Sequence, residues 1–175
     1  MAFLFTGQGS QYEGMGKDLY DKEEAFRAVM DRCDEALAGV LPHRLLDVLY
    51  GAVDNLRALV HNTRYAQPAL FAIECATAML WRSKGWEPCA VLGHSVGEYA
   101  AACVAGMMSI ESGAKLIAAR GRLMSELPEG GSMVAVMASE ERVRLSGEVW
   151  NHKITGRGGR QRRSVIPAYI QRNDA

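Results

Sequence analysis

Neither sign of charge dominates this chain: 20 Lys and Arg balance 20 Asp and Glu over 175 residues, for a formal net charge of zero. That balance excludes a protein built mainly to coat nucleic acid or an anionic membrane, because both depend on summed positive charge. Long hydrophobic runs are absent too. The longest, Ala100 to Ile110, is broken by Gly106 and Ser109 and falls short of the ~20 apolar residues of a membrane span. The N-terminal residues Met1 to Gly7 have no basic leader and too short an apolar run for a signal peptide. A cytoplasmic protein with no membrane partner is therefore expected. The four cysteines, Cys33, Cys75, Cys89 and Cys103, lack CxxC spacing and sit among apolar residues, which predicts reduced buried thiols rather than a metal site or a disulfide framework.

What is present is ordinary globular composition, with 49% hydrophobic and 23% charged residues, in a chain long enough to bury roughly 70% of its unfolded surface. The neutral average conceals an asymmetry. Residues 1–150 carry 14 basic and 19 acidic side chains, whereas residues 151–175 carry 6 and 1.

Ala2 to Phe5 reads as a short buried strand entering the glycine-rich loop Thr6-Gly7-Gln8-Gly9-Ser10-Gln11. Phe26, Val29, Met30, Cys33 and Leu37 then form a helical stripe, with Asp21 as its cap and Glu24 at the capping-box position. Shorter helices are predicted over Leu45 to Tyr50 and Leu56 to Val60. A long helix is predicted to open at Gln67-Pro68 and to stop near Lys84, before Gly85. Cys89 to Leu92 is a second buried strand, followed by a helix from Val96 to about Ala105 and another, capped by Ser109, to about Leu127. Met133 to Met137 reads as a strand and Ser139 to Leu145 as a helix. Strands alternating with helices imply an α/β protein with a parallel sheet.

Gly93-His94-Ser95-Val96-Gly97 fits GxSxG, in which small neighbours permit a sharp strand-to-helix turn that lifts a serine hydroxyl above a sheet. A strand before it and a helix after it supply the required context, and the helix N-terminus can stabilise an oxyanion. A tight turn without chemistry is the alternative. His94, adjacent to Ser95, should point elsewhere, which favours a structural or substrate-contacting role over that of a base. His43 and His61 lie in the early helical region and His152 in the basic tail. Arg120 falls within the stripe Leu116, Ile117, Leu123, Met124 and Leu127, while Lys115, Arg122 and Glu126 take the opposite face. An inward arginine requires an anionic partner. That partner is either a carboxylate ligand or an internal acid such as Glu98 or Glu74.

Gly7-Gln8-Gly9-Ser10-Gln11, Gln67-Pro68-Ala69-Leu70, Gly93-His94-Ser95-Val96-Gly97-Glu98 and Arg120, 25 positions beyond the serine, occur in one order. Together they resemble the acyl-carrier-protein acyltransferases: malonyl-CoA:acyl carrier protein transacylases and the acyltransferase domains of polyketide synthases. The resemblance runs from about Ala2 to Arg144, and it is closer to the synthase branch at Phe3 to Tyr12 and Phe26 to Leu37. It implies a hydrolase-like large subdomain, a parallel sheet with helices on both faces, interrupted by a ferredoxin-like small one. On that basis residues 1–127 belong to the large subdomain, 128–147 begin the small one, and 148–175 are a divergent basic tail. The tail reads as a disordered or out-of-frame terminus rather than a nucleic-acid arm.

The resemblance further implies that Ser95 accepts the acyl group, with the amides of Gln8 and Val96 forming the oxyanion hole. Arg120 would bind the carboxylate of a malonyl-type substrate, Gln67 would sit at the active-site edge, and His94 and Met124 would help line the pocket, with plain core packing the alternative for Met124. The acyl donor would be malonyl-CoA, with no cofactor or metal bound, and the acceptor would be the phosphopantetheine thiol of an acyl carrier protein, in polyketide or fatty-acid biosynthesis. Val96 and the Tyr65 to Ala72 segment look malonyl-selective. The family also uses a downstream histidine to activate the serine, and no motif here matches its surroundings, so weak activity is expected of this chain. The competing expectations are a serine hydrolase using the same turn and a non-catalytic fragment that binds a carrier protein.

Overall fold

The computed structural model describes residues 1–127. Strand β1 (Ala2–Phe5) pairs in parallel with β2 (Ala90–Gly93), with Ala2 opposite Ala90 and Phe5 opposite Gly93. Between them run α1 (Lys17–Lys22), α2 (Glu24–Leu37), α3 (Leu45–Tyr50), the short α4 (Asp54–Arg57), a 3₁₀ turn and the long α5 (Thr63–Ser83). After β2 come α6 (Val96–Val104) and α7 (Ile110–Ser125). Two parallel strands cannot be joined by a tight turn, and here the whole helical segment forms the crossover.

Helix α5 is the central element: α2, α6 and α7 all pack on it, and Phe71, Ala72, Cys75 and Ala76 on it are fully buried. The α2 stripe Phe26, Val29, Met30, Cys33 and Leu37 faces this core as its periodicity requires. On the sheet, alternation puts Phe3, Phe5 and Val91 against the helices. The neighbouring pair Leu4 and Leu92 lies on the other face, 73% and 68% exposed.

Four expectations are corrected. Asp21 does not cap α2: it lies within α1, ion-paired to Lys17 at 2.5 Å, and the extended Glu23 separates the two helices. Helix α5 starts at Thr63, ahead of Gln67, because the Asn62 side chain accepts a hydrogen bond from the Arg64 amide at 2.9 Å and caps it there. Pro68 consequently sits inside the helix, where burial of the surrounding residues outweighs its missing donor. On α7 the buried face is Gly113, Ala114, Ile117, Ala118 and Gly121, whereas Leu116, Leu123, Met124 and Leu127 are all at least 42% exposed. Small residues let α7 lie close to α5, so backbone approach rather than leucine content sets the inward face. Finally, Cys33 and Cys75 are buried as expected, but Cys103 is half-buried and Cys89 is exposed beside Met1.

The Ser109 cap of α7 and the α3 limits agree with expectation. Among the described residues no helix is long and apolar enough to cross a membrane, and no cluster of acids, histidines and cysteines could hold a metal ion. The expected elements over Met133 to Leu145, and the stretches 128–147 and 148–175, lie outside the described residues.

Candidate active site

Ser95 joins β2 to α6 with φ 56° and ψ −108°; it is the one non-glycine residue with positive φ among the described residues. The neighbours of the turn explain how that conformation is held. The His94 amide donates to Phe5 O at 3.1 Å and Gly97 N donates to His94 O at 3.0 Å. A Cβ on Gly97 would stand 2.5 Å from Phe5 O, and one on Gly93 would collide with the Gly97 backbone. Only glycine at both positions lets the first turn of α6 rest on the end of β1. The small residues of GxSxG are thus required by close approach on both sides of the serine.

Arg120, on α7, reaches this turn. Its Nη2 donates to Ser95 Oγ at 3.3 Å and its Nη1 to Gln67 Oε1 at 2.6 Å, and the guanidinium lies 5.9 Å from the centre of the Tyr99 ring. Neither Glu98 nor Glu74 pairs with it; among the described residues no carboxylate does. The internal salt bridge that the sequence allows is therefore absent there. Among the described residues this half-buried guanidinium meets a neutral amide, a ring face and the serine hydroxyl, and no anion.

Gln67 is completely buried on α5. With its oxygen taken by Arg120, its Nε2 donates to Gln8 Oε1 at 3.4 Å and to Met124 Sδ at 3.3 Å. Gln8 Nε2 in turn donates to Thr63 Oγ1 at 3.2 Å, at the start of α5. One chain of hydrogen bonds thus runs from the β1 loop through α5 to α7 and back to the serine. Met124 belongs to this rim and is 42% exposed, so it is not a core residue. The backbone amides of Gln8 and Val96 donate to no acceptor among the described residues.

The histidines are distributed as follows. The His94 ring covers Gly7, where a Cβ would come within 2.7 Å of Nδ1. His43 stacks on Tyr65, and His61 is exposed beside the start of α5. Within the described residues, the hydrogen bond of Ser95 Oγ is with Arg120, a donor that cannot accept a proton.

Three participants carry little sequence signal for the contacts they make. Tyr99 has none, because an aromatic in an alanine-rich helix reads as core. Thr63 is hidden by the late start that Gln67-Pro68 suggests for α5. Glu74 is the sole acid in α5, and that isolation is the available signal. Its Oε1 accepts from Thr6 N at 2.7 Å and Thr6 Oγ1 at 2.8 Å. Burial raises the Glu74 carboxyl above its ordinary pKa, and the Thr6 bonds oppose that shift.

A family model, the acyl transferase domain, matches residues 2–169. The chain belongs to the acyl transferase domain family. The match continues past Arg144, where the motif resemblance stops. Mycoketide-CoA synthase of Mycobacterium tuberculosis is 49% identical over 153 residues, covering 84% of this chain and 4% of the synthase. The solved acyl transferase domain of ZmaA superposes with a TM-score of 0.79 at 37% identity, over 87% of this chain and 35% of that one. A malonyl-CoA:acyl carrier protein transacylase from Clostridium perfringens gives a TM-score of 0.75 at 33% identity, over 85% of this chain and 46% of that one. The chain thus spans under half the length of these solved relatives and a small fraction of the synthase. The α/β fold is that of the family.

Proposed function

We propose that this acyl transferase domain takes a malonyl-type acyl group from coenzyme A onto Ser95 and passes it to the phosphopantetheine thiol of an acyl carrier protein. The observation that carries this reading is Arg120, a cation bonded to Ser95 Oγ with no carboxylate paired to it among the described residues. A planar guanidinium suits two-point binding of a carboxylate, and a malonyl group has one, two bonds from its thioester carbonyl.

In the first half-reaction Ser95 Oγ attacks the thioester carbonyl and loses its proton to a base. The C–S bond then breaks, coenzyme A leaves as thiolate and takes up a proton, and a serine ester remains. The negative oxygen formed during attack would accept from the Gln8 and Val96 amides, which donate to nothing else among the described residues. In the second half-reaction the carrier-protein thiol attacks the ester and Ser95 regains its proton. Gln67 orients Arg120, while His94 and Met124 shape the rim.

Intact-protein mass spectrometry after incubation with malonyl-CoA tests this directly. A malonyl adduct on the wild type and none on Ser95→Ala is the expected result. An adduct that survives Ser95→Ala, or turnover of neutral esters faster than acylation by malonyl-CoA, would overturn it.

A further inference from the structure

The loop carrying Gln8 leaves β1 at Phe5 and turns over the serine without belonging to a helix or strand. Its two glycines, Gly7 and Gly9, give it little intrinsic stiffness. An amide that stabilises an oxyanion must nevertheless be fixed before the reaction, because reorganising it during the reaction forfeits the benefit. Something outside the loop has to hold it.

We infer that Glu74 is the positioning residue for this loop, clamping Thr6 so that the Gln8 amide stays aligned with Ser95. The inference rests on the acyl-enzyme reading above and adds a residue that the motif pattern does not contain. The geometry is specific. Glu74 projects from the middle of α5, the best-buried helix among the described residues, and a single oxygen, Oε1, takes both the Thr6 backbone N–H and the Thr6 hydroxyl. Because the Thr6 hydroxyl donates to Glu74, its oxygen is left to accept from Ser10 Oγ, 3.1 Å away, which also lies 3.4 Å from Gly7 O. Thr6, two positions before Gln8, is thereby linked to the carboxylate directly, and Ser10, two positions after it, through Thr6. The inner side of the loop is closed by His94 against Gly7. The Gln8 side chain adds a second tether, to Thr63 and Gln67 of the same helix. Helix α5 thus fixes Arg120 through Gln67 and the oxyanion loop through Glu74, so both halves of the site are referred to one rigid element.

A carboxylate in this position is otherwise unfavourable. Its Oε2 is buried and has no partner among the described residues, and burial raises its pKa. Acids are retained in such surroundings where the contact they make matters. The arrangement also defines the conservative variant: Glu74→Gln keeps an acceptor for Thr6 and places its amide nitrogen where no described donor points.

The test compares the wild-type chain, Glu74→Ala, Glu74→Gln and Thr6→Val by two readouts. The first is amide hydrogen exchange of residues 6–10, which needs no substrate. The second is the malonylation rate of Ser95 as a function of malonyl-CoA concentration. Glu74→Ala is expected to speed exchange across the loop by about tenfold or more and to slow maximal acylation by roughly 10–100-fold, with half-saturation shifted far less. Thr6→Val, which keeps the amide contact and loses the hydroxyl, should fall between, and Glu74→Gln should return both readouts close to wild type. Exchange and maximal rate unchanged in Glu74→Ala would overturn the inference, as would equal losses in Glu74→Ala and Glu74→Gln. Should the wild type fail to acylate, the acyl-enzyme reading fails. Hydrogen exchange still decides whether Glu74 holds the loop.

Discussion

Ser95 carries its hydroxyl at φ 56°, in a region that costs a residue with a side chain about 1–3 kcal/mol. The packing of Gly93, Gly97 and Phe5 imposes that strain, and the result is a nucleophile raised above the strand end. Stability and function therefore oppose each other at this residue. Ser95→Gly should be more stable than Ser95→Ala by about 1 kcal/mol, since only glycine relaxes the backbone. A thermal transition higher for Gly than for Ala, with neither variant labelled by malonyl-CoA, is the expected outcome. The serine itself is legible in the sequence, because GxSxG set between an apolar strand and a helix is a specific pattern. The strained turn is legible with it, whereas the contacts that hold it, made by Phe5 at the end of β1, come from a residue distant in the chain and are not. Arg120 reads as an inward cation from the sequence, but its choice between a ligand and an internal acid needs the structure, in which Gln67 and Ser95 take the guanidinium.

At the level of elements, a buried acid closes the start of a neighbouring helix. Asp34 of α2 is buried and accepts from the Leu46 amide at 3.1 Å, in the first turn of α3, while Arg44 Nε donates to it at 2.9 Å. Helix α3 has no side-chain cap of its own, so an acid from the preceding helix performs that task. Asp34→Ala should cost about 2 kcal/mol, whereas Asp34→Asn, which retains an acceptor for Leu46, should cost about half as much. Urea unfolding midpoints of the two variants check this, and equal losses would contradict it. Periodicity locates α2 and α3 well, whereas capping chemistry read along the chain misplaces other helix starts. Asp21 has capping chemistry but is held in α1 by Lys17. Proline at position 68 suggests a first turn, yet Asn62 supplies the real one. On α7 the sequence signal comes from leucines, and the contact with α5 is made by glycine and alanine.

Across the whole molecule the site is an assembly of residues remote in sequence. Gln8 and Gln67 are 59 positions apart, Gln67 and Arg120 53, and Ser95 and Arg120 25. No local pattern encodes such a constellation; it is legible only because four motifs occur in the order of one family. The network has a physical logic of its own. Neutral Gln67 bonds Arg120 with one end and Gln8 with the other, and so orients the cation without cancelling its charge. The sheet leaves Leu4 and Leu92 exposed on the face away from the helices, while the site side is packed and hydrogen-bonded.

Acyl selectivity in Arg120→Ala most directly tests the role of this cation in reading a malonyl carboxylate. Labelling of Ser95 is followed with malonyl-CoA and with acetyl-CoA, which differ in the terminal carboxylate. A charge-assisted contact of about 1.5–3 kcal/mol corresponds to roughly 10–100-fold. Arg120→Ala is predicted to lose malonyl labelling by that factor relative to acetyl labelling. An equal loss with both donors would show that Arg120 does not read the carboxylate, and would contradict the proposed substrate class.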